Sequence, residues 1–384
     1  MHVIVDGIVY ARQRFGGINT YFNEMLPRLA RQPDTRVDVL IPSQHEGGLP
    51  GPPVRRLARD FIPTRTGLNS RLDRRLEPLV ETLKLGAIGL WASRKRDAVY
   101  QSSYLTSLSL MTQPQVAIAH DLNHERFPHL YTDEHGVWLR RRYPEYLRRA
   151  TRVIAVSETT KRDVEHYYRV PDDRIDVVHL AVDRERFHPI DAEIDREALA
   201  RTTGVASPYI LYVGGRWHYK NFASVLEAMD RIHRRTPLKL VVAGPPWSAT
   251  ESAKLTHHPA AEVVRLVPYP DDRVLRLLYG CATAFVFPSL HEGFGIPLLE
   301  AMACGTPVVA ADTLVFHEVA GDAVIFVRPQ DPDDIAGGVE RLLDERVSRD
   351  YRERGIQQSR RYSWDATARG TRRVYERALG MTGG

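Results

Sequence analysis

The chain has 384 residues, too many for one hydrophobic core of ordinary size and suited to two. With 43% hydrophobic and 26% charged residues, its composition is neither that of a disordered chain nor that of a fibre. The formal net charge of +5 comes from the residues before Pro189, and two cysteines, Cys281 and Cys304, cannot staple a protein this long, so a reducing, cytoplasmic setting is expected.

The N-terminus enters strand-like sequence at once, His2 to Val5, without a charged leader, so no signal peptide is expected. No run reaches the roughly 18 apolar residues of a membrane span, and the longest, Leu85 to Ala92, is far too short. After the first strand come Arg14-Phe15-Gly16-Gly17 and a helix expected from Asn19 to Arg31. A glycine pair before a helix is a weak phosphate signal, and a plain turn explains it about as well. A strand at Val37 to Ile41 is followed by a Gly- and Pro-containing stretch, Pro42 to Pro63, that reads as a long loop.

The strand Val116 to Ala119 delivers His120-Asp121-Leu122-Asn123-His124-Glu125 to the end of a sheet, where a neutral imidazole at His120 could bond a sugar hydroxyl. Asp121 and Asn123 are the candidates on the acceptor side. The spacing of His120 and His124, with Glu125 next, raises the alternative of a metal-dependent hydrolase. Asp121 stands where the zinc-protease motif has Glu, however, and the pair follows a strand rather than lying within a helix, so no metal site is expected. Three basic clusters, Arg94-Lys95-Arg96, Arg140-Arg141-Arg142 and Arg148-Arg149, fit either solvated helix faces or contact with anionic lipid or a phosphorylated acceptor. Nothing points to nucleic acid.

Strands follow at Val153 to Val156 and Ile175 to Val178, and the pattern breaks across Ala181 to Pro189, where charges gather before a proline. It resumes with strands at Tyr209 to Val213, Leu238 to Ala243, Val263 to Leu266, Ala284 to Phe287, Pro307 to Ala310 and Ala323 to Val327, and closes on an amphipathic helix, Trp364 to Leu379, that should pack on another element. Alternating β and α segments of this kind build parallel sheets. The expected organisation is two Rossmann-like domains, residues 1–185 and 186–361, with a C-terminal helix and tail over residues 362–384 that returns toward the first domain.

Two segments carry the chemistry. After the strand ending at Val213, the turn Gly214-Gly215-Arg216-Trp217-His218-Tyr219-Lys220-Asn221 offers Arg216 and Lys220 as fixed cations for a leaving diphosphate. After the strand ending at Phe287, His291-Glu292-Gly293-Phe294-Gly295-Ile296-Pro297 leads into a helix starting near Ile296, whose amide-rich, positive end suits a diphosphate. Glu292 and Glu300 could then accept hydrogen bonds from the hydroxyls of a sugar and of a ribose.

These residues resemble the retaining GT-B glycosyltransferases of family four, marked by E-G-F-G-x-P-x-x-E; Glu292 and Glu300, with seven residues between them, match it without a gap. The resemblance extends over Gly16-Gly17, His120-Asp121, Ala155-Val156-Ser157-Glu158, Val182 to Pro189, and Val213 to Arg216. It implies two parallel-sheet domains facing across a cleft and transfer from a nucleotide sugar with retention, without a metal ion or other cofactor. In this reading His120, Glu292, Arg216 and Lys220 act at the reacting centre, while Gly16, Gly17, Gly215, Gly295, Ile296, Pro297, Leu298 and Glu300 bind the donor. The family usually places one or two more residues between its Arg and Lys, which favours Lys220 over Arg216. Tyr219 to Phe222 and His120 to Pro128 look like bacterial mannosyltransferases of O-antigen and exopolysaccharide assembly. GDP-mannose is therefore favoured over a UDP-sugar, with a glycan or lipid-linked glycan as acceptor and peripheral contact with an anionic membrane. A GT-B-fold nucleotide-sugar epimerase is the remaining alternative.

Overall fold

The computed structural model describes residues 1–12, 16–41, 48–58, 86, 88–95, 97–108, 111–190, 192–206, 208–216 and 218–381. Arg14, Phe15, Arg96, Trp217 and part of the expected loop Pro42 to Pro63 lie outside the described residues. The chain divides into two compact units, Met1–Leu180 with Trp364–Gly384, and Ala181–Ser363.

The sheet of unit 1 consists of β1 (His2–Val5), β2 (Arg36–Ile41), β3 (Arg55–Ala58), β4 (Ala98–Gln101), β5 (Gln115–Ala119), β6 (Arg152–Ala155) and β7 (Ile175–Val177). Their order is β3-β2-β1-β4-β5-β6-β7, with every neighbouring pair parallel. Unit 2 has β8 (Tyr209–Val213), β9 (Lys239–Gly244), β10 (Val264–Pro268), β11 (Ala284–Phe287), β12 (Val308–Ala311) and β13 (Ile325–Val327), ordered β10-β9-β8-β11-β12-β13 and again all parallel. The central strands are buried on both faces, which is why β8 and β11 read as unbroken apolar runs and β5 does so from Val116 onward.

In each sheet the order reverses once, between β1 and β4 in unit 1 and between β8 and β11 in unit 2. The connections on either side of such a reversal leave to opposite faces, opening a crevice beyond the carboxyl ends of the two strands. In unit 2 those strands lead directly to Arg216 and Lys220 on one side and to Glu292 on the other.

Two strands were not expected. β3 lies inside the stretch read as a loop; Arg55 and Arg56 are exposed, so its edge position leaves no apolar pattern to detect. β4 is wholly buried but only four residues long, too short for periodicity to reveal.

The C-terminal helix Trp364–Ala378 belongs to unit 1, where it packs on the helix Gly17–Ala30. It buries Trp364 and Tyr375 to 3% and 0% exposure, and the Thr367 hydroxyl donates to the His179 carbonyl at 2.8 Å. Arg140, Arg141 and Arg142 share one turn of the helix Glu134–Arg149, and only Arg141 is exposed, because consecutive helical residues point about 100° apart. The three therefore form no single basic strip. Among the described residues, no helix is long and apolar enough to cross a membrane.

Candidate active site

The turn after β8 is held to the segment after β11 by backbone and amide bonds. The Leu290 N–H donates to the Tyr219 carbonyl at 2.8 Å, and the Asn221 side-chain amide donates to the carbonyls of Pro288, at 3.3 Å, and Pro329. Asn221 adopts a left-handed φ of +56° just before the helix Phe222–His233, which suits Asn better than most residues. This stitching brings Lys220 Nζ to 2.6 Å from Glu292 Oε1, with the two side chains only 17% and 14% exposed. Arg216 faces elsewhere. Its guanidinium forks onto Glu251 at 2.8 and 3.2 Å, donates to the carbonyls of Pro245 and Pro246 at 2.9 Å, and stacks over Trp247 at 4.3 Å. Arg216 thus begins with its charge already balanced by a carboxylate, whereas the partner of Lys220 is itself a proposed ligand of the sugar.

Gly295 caps the helix Ile296–Ala303 at φ +102°, and a Cβ there would stand 3.1 Å from the Phe316 ring, so both backbone and packing require glycine. Pro297 sits in the first turn and no side chain caps the helix start. Leu298 is wholly buried and its N–H donates to the Gly295 carbonyl, so in this structure it supports the helix start. The Gly215 carbonyl is likewise engaged, accepting from the Tyr212 hydroxyl at 2.7 Å.

Glu300 accepts a hydrogen bond from the Tyr279 hydroxyl at 3.0 Å. Burial pushes its carboxyl up to about 7 and Asp272 pushes the same way, while the Tyr279 hydrogen bond pulls back. Tyr279 was missed from the sequence, since it sits on the helix Asp272–Cys281, remote along the chain.

In unit 1, Asp6 at the end of β1 is fully buried and accepts from the Ser103 N–H at 3.0 Å, the Tyr100 hydroxyl at 2.7 Å and the hydroxyls of Ser103 and Thr106. It thereby fixes the loop after β4 as one wall of a cavity of about 190 Å³. His120 and Asp121, delivered by β5, line the same cavity with Tyr104, Tyr131, His135 and Tyr143. His120 Nε2 is buried without a hydrogen-bond partner, the ring lies edge-on to Tyr21 at 5.5 Å, and burial lowers its pKa to about 4, so the imidazole is neutral. The Asp121 carboxylate accepts from the Asn123 N–H at 3.2 Å and its carbonyl from the Tyr143 hydroxyl at 3.0 Å. Asn123, expected beside an acceptor, is 1% exposed and outside the cavity lining. His124 bonds the Tyr168 hydroxyl at 2.9 Å, and Tyr168 donates to Glu125 at 2.8 Å. Among the described residues, no group of three or more His, Cys, Asp or Glu is placed to hold a metal ion. Gly16 and Gly17 are exposed at the start of the helix Gly17–Ala30.

Two family models cover most of the chain, Glycosyltransferase Family 4 over residues 15–186 and Glycosyl transferases group 1 over residues 195–362. An uncharacterized glycosyltransferase of Methanocaldococcus jannaschii is 30% identical over 78% of this chain and 79% of its own length. The chain belongs to glycosyltransferase family 4. This glycosyltransferase is also 28% identical to the O-antigen chain mannosyltransferase B of Escherichia coli, over 74% of its own chain and 76% of that relative. Its fold matches that of sucrose-phosphate synthase from Thermosynechococcus elongatus with a TM-score of 0.77 at 19% identity, covering 99% of each chain. The two all-parallel α/β units of the glycosyltransferase are thus those of the GT-B fold.

Proposed function

We propose that this glycosyltransferase is a retaining, metal-independent hexosyltransferase that moves mannose from GDP-mannose to a glycan or lipid-linked glycan acceptor. The observation that carries the reading is the Lys220–Glu292 pair at the strand-order reversal of unit 2, beside the helix start at Gly295. Breaking the anomeric C–O bond makes the departing diphosphate more negative, and Lys220 together with the helix N-terminus stabilises that charge. As Lys220 turns to the diphosphate, Glu292 is released to accept hydrogen bonds from the sugar. Glu300 takes the ribose hydroxyls, and neutral His120 bonds a sugar hydroxyl. Arg216, saturated by Glu251, shapes the turn that carries Lys220. The acceptor oxygen bonds to the anomeric carbon on the face the diphosphate leaves, and its proton passes to a diphosphate oxygen. Mannose is favoured by the motifs at His120 to Pro128 and Tyr219 to Phe222 and by the name of the Escherichia coli relative. Where the acceptor is lipid-linked, the enzyme works at the cytoplasmic membrane face, held peripherally by exposed basic residues such as Arg141 and Arg148.

The test is nucleotide release from GDP-mannose and UDP-glucose, with and without a mannose-terminated acceptor and with EDTA throughout, followed by NMR of the product's anomeric centre. Acceptor-dependent GDP release that withstands EDTA and yields an α-linked product is expected. Preference for UDP-glucose would overturn the donor, inversion the mechanism, and loss of activity in EDTA the metal-free chemistry. Conversion of the nucleotide sugar without acceptor would make the enzyme an epimerase.

A further inference from the structure

The helix Asp272–Cys281 packs on the helix Ile296–Ala303 and presents Tyr279 to Glu300. Tyr279 is 0% exposed, so its hydroxyl meets nothing outside the protein, whereas Glu300 is partly exposed. The hydroxyl donates to Glu300 Oε2 at 3.0 Å, and among the described residues the Glu300 side chain makes no other hydrogen bond or ion pair. Oε1 is therefore left for a ligand. Tyr279 is itself fixed on three sides: its ring stands edge-on to Phe285 of β11 at 5.4 Å and to Phe187 at 6.2 Å, and its carbonyl accepts from the Thr306 hydroxyl at 2.7 Å. A glutamate anchored to so rigid a ring has given up much of its rotamer freedom before a ligand arrives, so less is lost on binding.

The anchor acts on the proton as well. Burial and the Glu300 charge drive the Tyr279 hydroxyl well above its ordinary range, so it keeps its proton and remains a donor. A donor favours the ionised carboxylate, and its pull opposes burial and Asp272, which lift the Glu300 carboxyl to about 7. Of the elements packed on the helix Ile296–Ala303, Asp272–Cys281 also brings Arg276 toward Cys304, Glu345–Ser359 brings Arg352 beside Gly305 at the far end, Leu314–Ala320 carries His317 and Glu318, and β12 is apolar. Among these groups Tyr279 and Asp272 are the ones that act on Glu300.

We propose that Tyr279 is a positioning residue for the donor: by holding Oε2 of Glu300 it aims the carboxylate so that Oε1 meets the ribose hydroxyls of the nucleotide. The inference rests on the reading of Glu300 as the ribose ligand, and it adds the residue that prepares that ligand. Calorimetric titration between pH 6 and 9 tests it, using whichever of GDP and UDP binds the full wild-type chain more tightly. Tyr279→Phe keeps the ring packing and removes only the hydroxyl. Losing a hydrogen bond to the charged form raises the Glu300 pKa, so the pH below which affinity falls should rise by about one unit, with affinity about fivefold lower at pH 7 and the loss shrinking toward pH 9. In a Glu300→Gln background the same Tyr279→Phe change should alter affinity by less than about twofold, because the two groups act as one unit. The nucleotide's own phosphate titration is common to all variants and cancels in the comparison.

An unchanged pH midpoint in Tyr279→Phe, or an equal loss of affinity with and without Glu300→Gln, would overturn the proposal and leave Tyr279 a packing residue. The midpoint is read within one protein, so a lower melting temperature alone does not move it. If Glu300→Gln by itself leaves affinity and its pH dependence unchanged, or neither nucleotide binds, the donor-site reading fails first, and the two failures are thereby told apart.

Discussion

Lys220 and Glu292 are nearly buried and 2.6 Å apart, so each is the other's counter-ion. Removing Lys220 leaves Glu292 without its partner and, in the proposed mechanism, also takes a cation from the leaving diphosphate. Lys220→Met should lower kcat by about a hundredfold or more with a much smaller change in KM, as expected for a group that acts mainly in the transition state. Steady-state kinetics with saturating acceptor would show it, and a change confined to KM would reassign Lys220 to ground-state binding. Glu300 offers a pH signature. Its carboxyl holds a proton below about 7, and only the ionised form accepts two hydroxyls at full strength. Binding that favours the ionised form lowers the pKa in the complex, so nucleotide affinity should fall as pH drops below 7 and level off above it. The nucleotide's own phosphate also titrates, so the contribution of Glu300 is the difference from Glu300→Gln, whose affinity should lack this step. Calorimetric titration of GDP between pH 5.5 and 8.5 would measure it, and identical profiles for the two proteins would remove Glu300 from the ribose.

The helix Ile296–Ala303 begins where it does because Gly295 can hold φ +102° next to Phe316. Gly295→Ala would strain the backbone and press a methyl group on that ring, at a cost of about 1–3 kcal/mol. Because the strain falls at the helix start proposed to face the diphosphate, nucleotide affinity should drop along with the melting temperature. Wild-type affinity in a destabilised Gly295→Ala protein would show that the helix start makes no contact with the donor. This element was legible in the sequence, because Gly, Pro and the two glutamates are local signals. β3 and β4 were not, since one is an exposed edge and the other a four-residue core strand, and their existence depends on β2 and β1 being there to pair with them.

Among the described residues, Trp364–Ala378 returns to unit 1 from nearly the full chain length away to cover the helix Gly17–Ala30. Tyr21 and Thr371 hydroxyls meet at 3.4 Å, and Tyr375 donates to the Gln101 side chain. A chain ending at Ser363 would expose that apolar face of unit 1, whereas unit 2 keeps all of its strands. Truncation there should lower the first melting transition or abolish it and leave nucleotide stabilisation of unit 2 in place; an unchanged melt would show that the helix contributes little to folding. Among the described residues, sequence alone determined the α/β class, eleven of the thirteen strands and the placement of His120 after β5, Lys220 after β8 and Glu292 after β11, because strand burial, glycine turns and helix starts are written in neighbouring residues. Only the tertiary structure decided the partners. Arg216 is drawn to Glu251, Glu300 is tuned by Tyr279, Leu298 is turned inward, and Tyr104, Trp138 and His135 form one stack. The pairings of Arg216 with Glu251, Glu300 with Tyr279 and Tyr104 with Trp138 join segments whose approach is set by strand order and helix packing, and local spacing carries no record of either.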